Sequence, residues 1–198
     1  GEQRGLIPTR AWKRQAKGTS WQQGETVLAG IGQGFILTTP LQLVVMISRL
    51  VNGGRAVQPS LTRQIISQSE HASQIPVLSE FEKIGIHPPH LDVMARAMAA
   101  VTNSPTGTAF NARIMDGKRT MGGKTGTVQV RRISKAERET GVLKNEDLEW
   151  HERDHAVFVG FAPVHTPRYA VSVVVEHGGS GSSRAAPIAR DILLEVQR

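Results

Sequence analysis

The sequence predicts an α+β fold in which a three-stranded antiparallel sheet is flanked by helices. Three observations support this prediction: two apolar stretches of strand length joined by a proline-containing loop, an apolar helix with a defined cap, and a helical pattern near the last residue. The chain has 198 residues, of which 39% are hydrophobic, so it can build a sizeable core. We therefore interpret residues 1–198 as part of one domain.

The apolar residues 156–161 and 169–176 predict two central strands. Residues 162–168, which include two prolines, are expected to join them as a hairpin loop. A further strand is expected to begin at residues 127–130, which follow a glycine-rich approach. Residues 131–155 hold six Lys/Arg and seven Asp/Glu, so we interpret them as a solvated insertion between strands.

The first firm helix is predicted to begin at Pro40, with Thr39 as its N-cap and Gln42 as the capping-box partner. Because it is apolar on most sides, we expect this helix to be buried. Residues 52–54, Asn-Gly-Gly, are expected to end it through a left-handed glycine.

Two more helices are predicted, at residues 91–101 and from Ala186 onward. The last helix is expected to bury Ile188, Ile192 and Val196. Residues 1–37 are interpreted as loop with short elements, and residues 57–66 as extended structure.

The formal net charge is +7 and the sequence pI is near 10.4. Such a charge permits contact with nucleic acid, anionic lipid or an acidic polymer. The basic residues are scattered and no nucleic-acid-binding motif accompanies them, so we do not expect nucleic acid as a partner.

The chain contains no cysteine, which excludes disulfides and thiolate metal sites. No apolar run approaches the roughly 18 residues that a membrane span needs. The sequence starts at Gly1 with neither a start methionine nor the apolar region of a signal peptide. We expect the chain to be a piece of a longer protein.

Residues 123–127, Gly-Lys-Thr-Gly-Thr, hold the most chemical information. A lysine ammonium beside two hydroxyls forms a receptor for a carboxylate, and Gly126 lets a substrate backbone lie close to the strand. Lys-Thr-Gly is one of the motifs of serine β-lactamases and penicillin-binding proteins. Taken alone, the tripeptide favours a glycine-rich strand entry with an exposed lysine, and the rest of the chain reverses this preference.

Several other segments resemble class B penicillin-binding proteins and occur in that family's order. They are residues 30–34 with 38–42, 52–54, 103–109 and 154–156. The opening residues 5–13, Gly-Leu-Ile-Pro-Thr-Arg-Ala-Trp-Lys, are similar to the elongation-type branch, the penicillin-binding protein 2 group. The resemblance spans nearly the whole chain and indicates the C-terminal half of a transpeptidase domain, with a partial penicillin-binding/β-lactamase-like fold.

The resemblance implies a D-alanyl-D-alanine transpeptidase that crosslinks peptidoglycan through a serine acyl-enzyme. Carried over by motif, Lys124 organises the active-site proton network, and Thr125 and Thr127 bind the terminal carboxylate of the substrate. Gly126 belongs to the substrate-binding strand, and the backbone N–H of Thr127 is one of two oxyanion-hole donors. No cofactor and no metal are implied.

One departure from the family dominates, because its nucleophile motif Ser-x-x-Lys and its second motif Ser-x-Asn are both missing. Ser60 is followed three residues later by Arg63, and Ser79 by Glu82. In the family both motifs precede the region that this chain resembles, so truncation is the better explanation. We expect this chain alone to be inactive.

A rival motif is His151-Glu152-Arg153-Asp154-His155, which matches the zinc-protease pattern H-E-x-x-H. That chemistry needs both histidines on one helix, one turn apart. Here His155 runs into a strand-like segment, so a strand entry is the preferred interpretation. Residues 178–181, Gly-Gly-Ser-Gly, are interpreted as a loop at a strand end that borders the substrate cleft rather than as a phosphate-binding loop.

Two alternatives to transpeptidation stay open. One is a serine β-lactamase or β-lactam sensor of the same fold, and the other is a non-catalytic module that binds cell-wall peptide or a partner protein. By resemblance, the parent protein would bind peptidoglycan stem peptides and β-lactam antibiotics and work beside a SEDS-type glycan polymerase. It would be anchored by an N-terminal helix at the periplasmic face of the bacterial inner membrane. The isolated chain is expected to self-associate.

Overall fold

The computed structural model describes residues 3–59, 82–131 and 133–198. The chain forms two compact units, Gly1–Leu43 and Val44–Arg198. The membership of both units in one domain stays a prediction. Within the described ranges, no helix is both long and apolar enough to cross a membrane.

The first unit contains two helices, α1 (Arg10–Lys17) and α2 (Gln23–Gly30). Thr9 caps α1 by accepting a hydrogen bond from the backbone N–H of Trp12, and Gly18 ends it with a φ of 67°. These two helices are short elements of the kind expected within residues 1–37. Of the α1 residues only Lys13 is buried, so a pattern of buried apolar residues does not indicate this helix.

The buried Lys13 is paired with α2. Its Nζ lies 2.5 Å from the Glu25 carboxylate and donates to the carbonyl of Ser20 at 2.8 Å. The Lys13 hydrogen bond and that from the backbone of Gln22 lower the pKa of Glu25, with the Gln22 bond the larger cause. An ion pair thus joins the two short helices, where an apolar contact would be the usual connection.

Helix α3 (Pro40–Val51) has the predicted capping box. The Thr39 hydroxyl accepts from the Gln42 N–H at 3.1 Å, and the Gln42 side chain accepts from the Thr39 N–H at 3.0 Å. Gly53 and Gly54 follow with φ values of 83°, which confirms the left-handed end. The prediction that α3 is buried was wrong for this chain, because of its residues only Ile47 is fully buried, and Leu41 and Met46 are exposed.

Helix α4 (Pro88–Asn103) extends the predicted helix at both ends. Its first residues are prolines, whose fixed φ favours the first helical turn. A turn at residues 104–107 follows as predicted, closed by a hydrogen bond from the Gly107 N–H to the Ser104 carbonyl at 2.8 Å. The predicted extended segment 57–66 lies largely outside the described residues.

The sheet consists of β1 (Gly122–Val128), β2 (His155–Ala162) and β3 (Tyr169–Val175), antiparallel and in that order. The hairpin between β2 and β3 is confirmed, since the Arg168 N–H bonds the Ala162 carbonyl at 3.0 Å. The predicted start of the first strand was wrong, because β1 begins at Gly122 and ends at Val128 and thus contains the lysine motif.

Glycines explain why β1 begins early. Gly123 and Gly160 are register partners, and a Cβ on either would collide with the ring of Phe158. Phe161 lies opposite Gly122, where an added Cβ would be 2.9 Å from its ring and 3.2 Å from Ala99 of α4. The glycines thus supply the space into which the two buried phenylalanines of β2 pack, and residues with low strand propensity become strand.

Helix α6 (Ala186–Glu195) covers the sheet face that carries Phe158, opposite the α4 face. Its buried residues are Ala186, Ala189 and Leu193, so the predicted burial of Ile188, Ile192 and Val196 was wrong. The small alanines let the helix backbone approach the sheet and Leu193 fills the core beside them, whereas Ile188 and Ile192 are exposed. In the insertion, a short helix α5 (Lys135–Thr140) is capped by Ser134.

Candidate functional site

The lysine motif occupies the middle of β1, and the hydrogen-bond register with β2 defines its position. Lys124 faces Val159, Thr125 faces Phe158, and Thr127 faces Ala156. Because side chains alternate along a strand, the hydroxyls of Thr125 and Thr127 lie on one face and Lys124 lies on the other. Lys124 and Thr127 are exposed, and Thr125 is partly buried.

The Lys124 ammonium is held close to the strand. Its Nζ donates to the carbonyl of Thr125 at 2.7 Å. Among the residues that the structure describes, no carboxylate forms an ion pair with Lys124. The positive charge is thus available to an anion from solvent.

Thr108 is a site residue that the motif-based reasoning missed. Its hydroxyl lies 3.2 Å from the hydroxyl of Thr125, and the side chain is exposed. Gly107 delivers Thr108 to this position, since a Cβ at 107 would collide with the carbonyls of Ala100 and Val101. The Gly-Thr pair within residues 103–109 was the available signal, but nothing in its spacing indicated which strand residue it meets.

The end of α4 is tied to the start of β1. The buried Thr102 hydroxyl donates to the Met121 carbonyl at 2.6 Å, and the Asn103 amide donates to the same oxygen at 2.8 Å. Two donors on one buried carbonyl fix the strand entry against the helix. The hydrogen bonds to the Met121 carbonyl therefore fix the end of α4, which precedes Thr108, relative to the strand that carries Thr125.

The glycine segment 178–181 lies against the motif strand, at the strand end where it was expected. Gly181 is buried, and a Cβ there would collide with the carbonyl oxygens of Gly126 and Val157. The Gly179 N–H donates to the Asp154 carbonyl at 2.8 Å. The segment thus forms a wall beside the backbone of Gly126.

The two histidines of the H-E-x-x-H match do not share a helix. His151 lies in a three-residue 3-10 helix, Trp150–Glu152, and His155 is the first residue of β2. The one-turn spacing that this zinc motif needs is therefore not formed. No group of three or more His, Cys, Asp or Glu side chains that could hold a metal ion occurs in the described residues 3–59, 82–131 and 133–198.

The arrangement presents the hydroxyls of Thr108, Thr125 and Thr127 beside the extended backbone of β1, with the Lys124 ammonium on the other face of the strand. In the described residues β1 pairs only with β2, so a ligand at its free edge can reach groups of both faces. Such a set can bind a carboxylate and align a peptide along the strand. It contains no nucleophile with an adjacent base, so these groups bind and polarise but do not by themselves attack a carbonyl.

Comparison with protein families gives one match, to the penicillin binding protein transpeptidase domain, over residues 1–194. A curated relative, peptidoglycan D,D-transpeptidase MrdA of Haemophilus influenzae, is 36% identical over 191 residues, which are 94% of this chain and 28% of that protein. MrdA of Escherichia coli K12 is 32% identical over 199 residues, or 97% of this chain and 29% of that protein.

Solved structures agree with these relatives. A crystal structure of Pseudomonas aeruginosa PBP2 in complex with WCK 5153 matches all of this chain and 39% of its own, at 35% identity and a TM-score of 0.77. A complex of PBP2 and MreC from Helicobacter pylori matches at 26% identity and a TM-score of 0.77, over all of this chain and 32% of its own. The chain spans about 30% of the length of the curated relatives it matches.

Proposed function

Because the chain belongs to the penicillin-binding protein transpeptidase domain family, we propose that it supplies the lysine-motif part of a peptidoglycan D,D-transpeptidase site. The observation that carries this proposal is the motif strand itself. In β1, Lys124, Thr125 and Thr127 are accessible, and the hydroxyl of Thr108 lies 3.2 Å from that of Thr125. In the part of the chain that the structure describes, no carboxylate forms an ion pair with Lys124.

The substrate is a cell-wall stem peptide that ends in two D-alanines. Its terminal carboxylate would be bound by the hydroxyls of Thr125 and Thr127, and the Lys124 ammonium would supply the opposite charge. The substrate backbone would lie along β1 beside Gly126, where no side chain blocks its approach. This binding aligns the penultimate carbonyl with the reacting groups.

The reaction proceeds in two acyl transfers. A serine hydroxyl attacks the penultimate carbonyl and loses its proton, the amide bond breaks, and the terminal D-alanine leaves with its nitrogen protonated. The amine of a second stem peptide then attacks the acyl-enzyme, which restores the serine and forms the crosslink. The backbone N–H of Thr127 would stabilise the oxyanion in both steps, a contribution of about 3–4 kcal/mol per donor.

The serine must come from outside these residues, because the sequence holds no Ser-x-x-Lys or Ser-x-Asn. The relatives are more than three times longer than this chain, which supports a parent protein that contains both motifs. The relatives are named D,D-transpeptidases, and this supports synthesis of the cell wall over β-lactam hydrolysis or sensing.

Partners follow from the same proposal. Related structures include a PBP2–MreC complex and a peptidoglycan synthase complex that coordinates polymerization and crosslinking, which support partner proteins for the parent protein. We propose that one of these partners is a SEDS-type glycan polymerase. A PBP2 structure in complex with WCK 5153 supports the binding of small-molecule ligands by this family, and we propose that the parent protein also binds β-lactam antibiotics. We place the parent protein outside the cytoplasm, at the periplasmic face of the inner membrane.

Fluorescent penicillin tests this proposal. The parent protein should be labelled covalently and should release D-alanine from a stem pentapeptide, whereas the 198-residue chain should show neither reaction. The control is a parent protein in which the serine of Ser-x-x-Lys is replaced by alanine. Boil-resistant, stoichiometric labelling of the 198-residue chain would overturn the assignment of the nucleophile to another segment, and an unlabelled parent would overturn the function.

A further inference from the structure

Two histidines are joined at the ends of β2 and β3. The backbone N–H of His177 donates to Nδ1 of His155 at 2.9 Å, so Nδ1 of His155 carries a lone pair and no proton. Nδ1 of His177 lies 2.9 Å from the carbonyl of Arg153. Since a carbonyl only accepts, His177 Nδ1 is the donor, and both rings have a defined tautomer.

His177 is held in a conformation that its residue type rarely adopts. Its φ is 54°, and among the described residues it is the non-glycine with a positive φ. Such a backbone conformation is strained and persists only where its surroundings hold it. Here the hydrogen bond to His155, the bond to Arg153 and the two flanking rings supply that support, with ring centroids 4.4 Å away for Trp150 and 4.7 Å for His155.

The direction of the chain after His177 depends on this left-handed residue. It turns the chain back so that the N–H of Gly179 reaches the carbonyl of Asp154 at 2.8 Å. Asp154 is itself fixed by Asn145, which exchanges two hydrogen bonds with it at 2.7 and 3.1 Å. Two residues later Gly181 lies against the carbonyls of Gly126 and Val157.

His155 also belongs to the motif strand's register. It pairs with Val128, one position beyond the pair of Thr127 with Ala156. The same histidine therefore ends the β1–β2 ladder next to the motif and accepts the bond that orients the glycine segment.

We propose that His155 is a positioning residue: by accepting the His177 N–H, it holds segment 178–181 against β1 and keeps the backbone of Gly126 and Thr127 in the geometry that binds substrate. The inference rests on the proposed function, since it assigns a task within that site. His155 contacts the reacting atoms only through His177 and the glycine segment.

The chemistry of the acceptor predicts which substitutions preserve this role. The side-chain oxygen of asparagine can occupy the place of Nδ1 and accept the same N–H. Glutamine carries its oxygen near the place of Nε2, too far along the side chain, and alanine has no acceptor. Without an acceptor at residue 155, the partly buried N–H of His177 would lose the hydrogen bond that offsets the backbone strain of His177.

The experiment compares His155→Asn, His155→Gln and His155→Ala in the parent protein, with His151→Ala as the control because His151 is exposed and makes none of these bonds. The readouts are the second-order acylation rate with a penicillin and the hydrogen exchange of peptides that cover residues 176–182. We expect at least about tenfold slower acylation and faster exchange for the glutamine and alanine variants. The asparagine variant should stay within about threefold of the parent in both.

Parent-rate acylation in His155→Gln, or equal slowing in His155→Gln and His155→Asn, would overturn the proposal. If the variants do not fold, hydrogen exchange of the unmodified parent protein tests the proposal, because the His177 amide should exchange as slowly as amides inside β3. Rapid exchange of the His177 amide would contradict the proposed hydrogen bond to His155. A parent protein that is not acylated at all would refute the proposed function. The exchange measurements would then still test whether His155 holds residues 178–181 in place.

Discussion

The hydroxyl of Thr108 lies 3.2 Å from the hydroxyl of Thr125, and it connects the loop after α4 to the motif strand. Either hydroxyl can donate to the other, and the hydroxyl that accepts can then donate to a third group. A bound carboxylate can only accept, so the Thr125 hydroxyl would donate to the carboxylate while the Thr108 hydroxyl donates to Thr125. Thr108 would thus orient the Thr125 proton toward the substrate.

We predict that Thr108→Val in the parent protein slows acylation by about three- to tenfold, because Thr125 loses the partner that orients its proton, a loss of about 1 kcal/mol. The control is Thr106→Val, which removes another exposed hydroxyl of the same loop that bonds only Ser104. Stopped-flow acylation with a chromogenic β-lactam measures both. Equal rates for the two variants would show that Thr108 plays no part in the site.

Lys124→Ala should slow acylation by at least about tenfold, or roughly 1.4 kcal/mol of barrier. The melting temperature should stay close to that of the parent, because Lys124 is exposed and its one hydrogen bond is to an adjacent carbonyl. Lys118→Ala removes an exposed lysine away from the strand and serves as the control. Acylation at the parent rate would mean that the motif is structural here.

Gly123 and Gly126 should respond differently to alanine although both lie in β1. Gly123→Ala places a methyl group into the Phe158 ring and should destabilise the fold by about 1–3 kcal/mol. At Gly126 the nearest atom would be Cβ of Val157 at 3.4 Å, so Gly126→Ala should fold nearly normally but acylate more slowly, since the methyl group meets the substrate backbone. Chemical denaturation and acylation rates separate the two effects, and the reverse pattern would contradict this division.

Local signals were sufficient where the structure depends on neighbouring residues. The α3 capping box of Thr39 and Gln42 and the β2–β3 hairpin are such cases, because the bonds that form them join residues a few positions apart. The start of β1 was missed because it depends on Phe158, which lies 35 positions from Gly123 in the chain. From the sequence alone, Gly122 and Gly123 favour a loop, because glycine has low strand propensity and the packing of Phe158 against them is not visible.

The buried face of α6 was missed for a similar reason. Hydrophobicity favoured Ile188, Ile192 and Val196, but the sheet selected Ala186 and Ala189, whose small side chains allow close approach. In the candidate site, the motif residues could be named from their order in the chain. The contact of Thr108 with Thr125 and the bond between His177 and His155 require tertiary geometry that no spacing rule contains.

Acid should loosen the insertion at α5. Bidentate hydrogen bonds from Arg131, at 2.8 and 2.9 Å, and a bond from the Ser134 backbone lower the pKa of Glu137 from its ordinary 4.5 to about 2. Because the folded pKa is depressed, the stabilisation is complete above pH 4.5 and is lost as the pH falls toward 2.

We therefore expect amides of residues 135–140 to lose exchange protection between pH 4.5 and 2, and Glu137→Gln to lose it already at neutral pH. Glu139→Gln is the matched control, since Glu139 lies 3.9 Å from Lys135 and both side chains are exposed. Amide exchange of the insertion, corrected for the intrinsic pH dependence, gives the answer. Unchanged protection in Glu137→Gln would show that the Arg131 pair does not hold the helix.

The outer edge of β3 is the basis of the last prediction. In the described part of the chain β3 pairs only with β2, so the backbone groups along Val171, Val173 and Val175 face no partner strand on the other side. The exposed side chains of α6 add apolar surface in the same unit, at Ile188, Ile192 and Val196. An apolar, unpaired edge is a template for pairing with another chain.

The 198-residue chain should therefore self-associate at micromolar concentration, and sedimentation velocity is the direct measurement. Val174→Lys tests the route, because Val174 is exposed on β3 and a charged edge residue disfavours strand pairing. Glu176→Lys, just beyond the strand, raises the net charge by two where Val174→Lys raises it by one, so it controls for an effect of added positive charge alone. If Val174→Lys restores a monomer and Glu176→Lys does not, association runs through the β3 edge. A monomeric, cooperatively unfolding chain with protected amides at residues 171–175 would mean that other residues of the chain cover this edge.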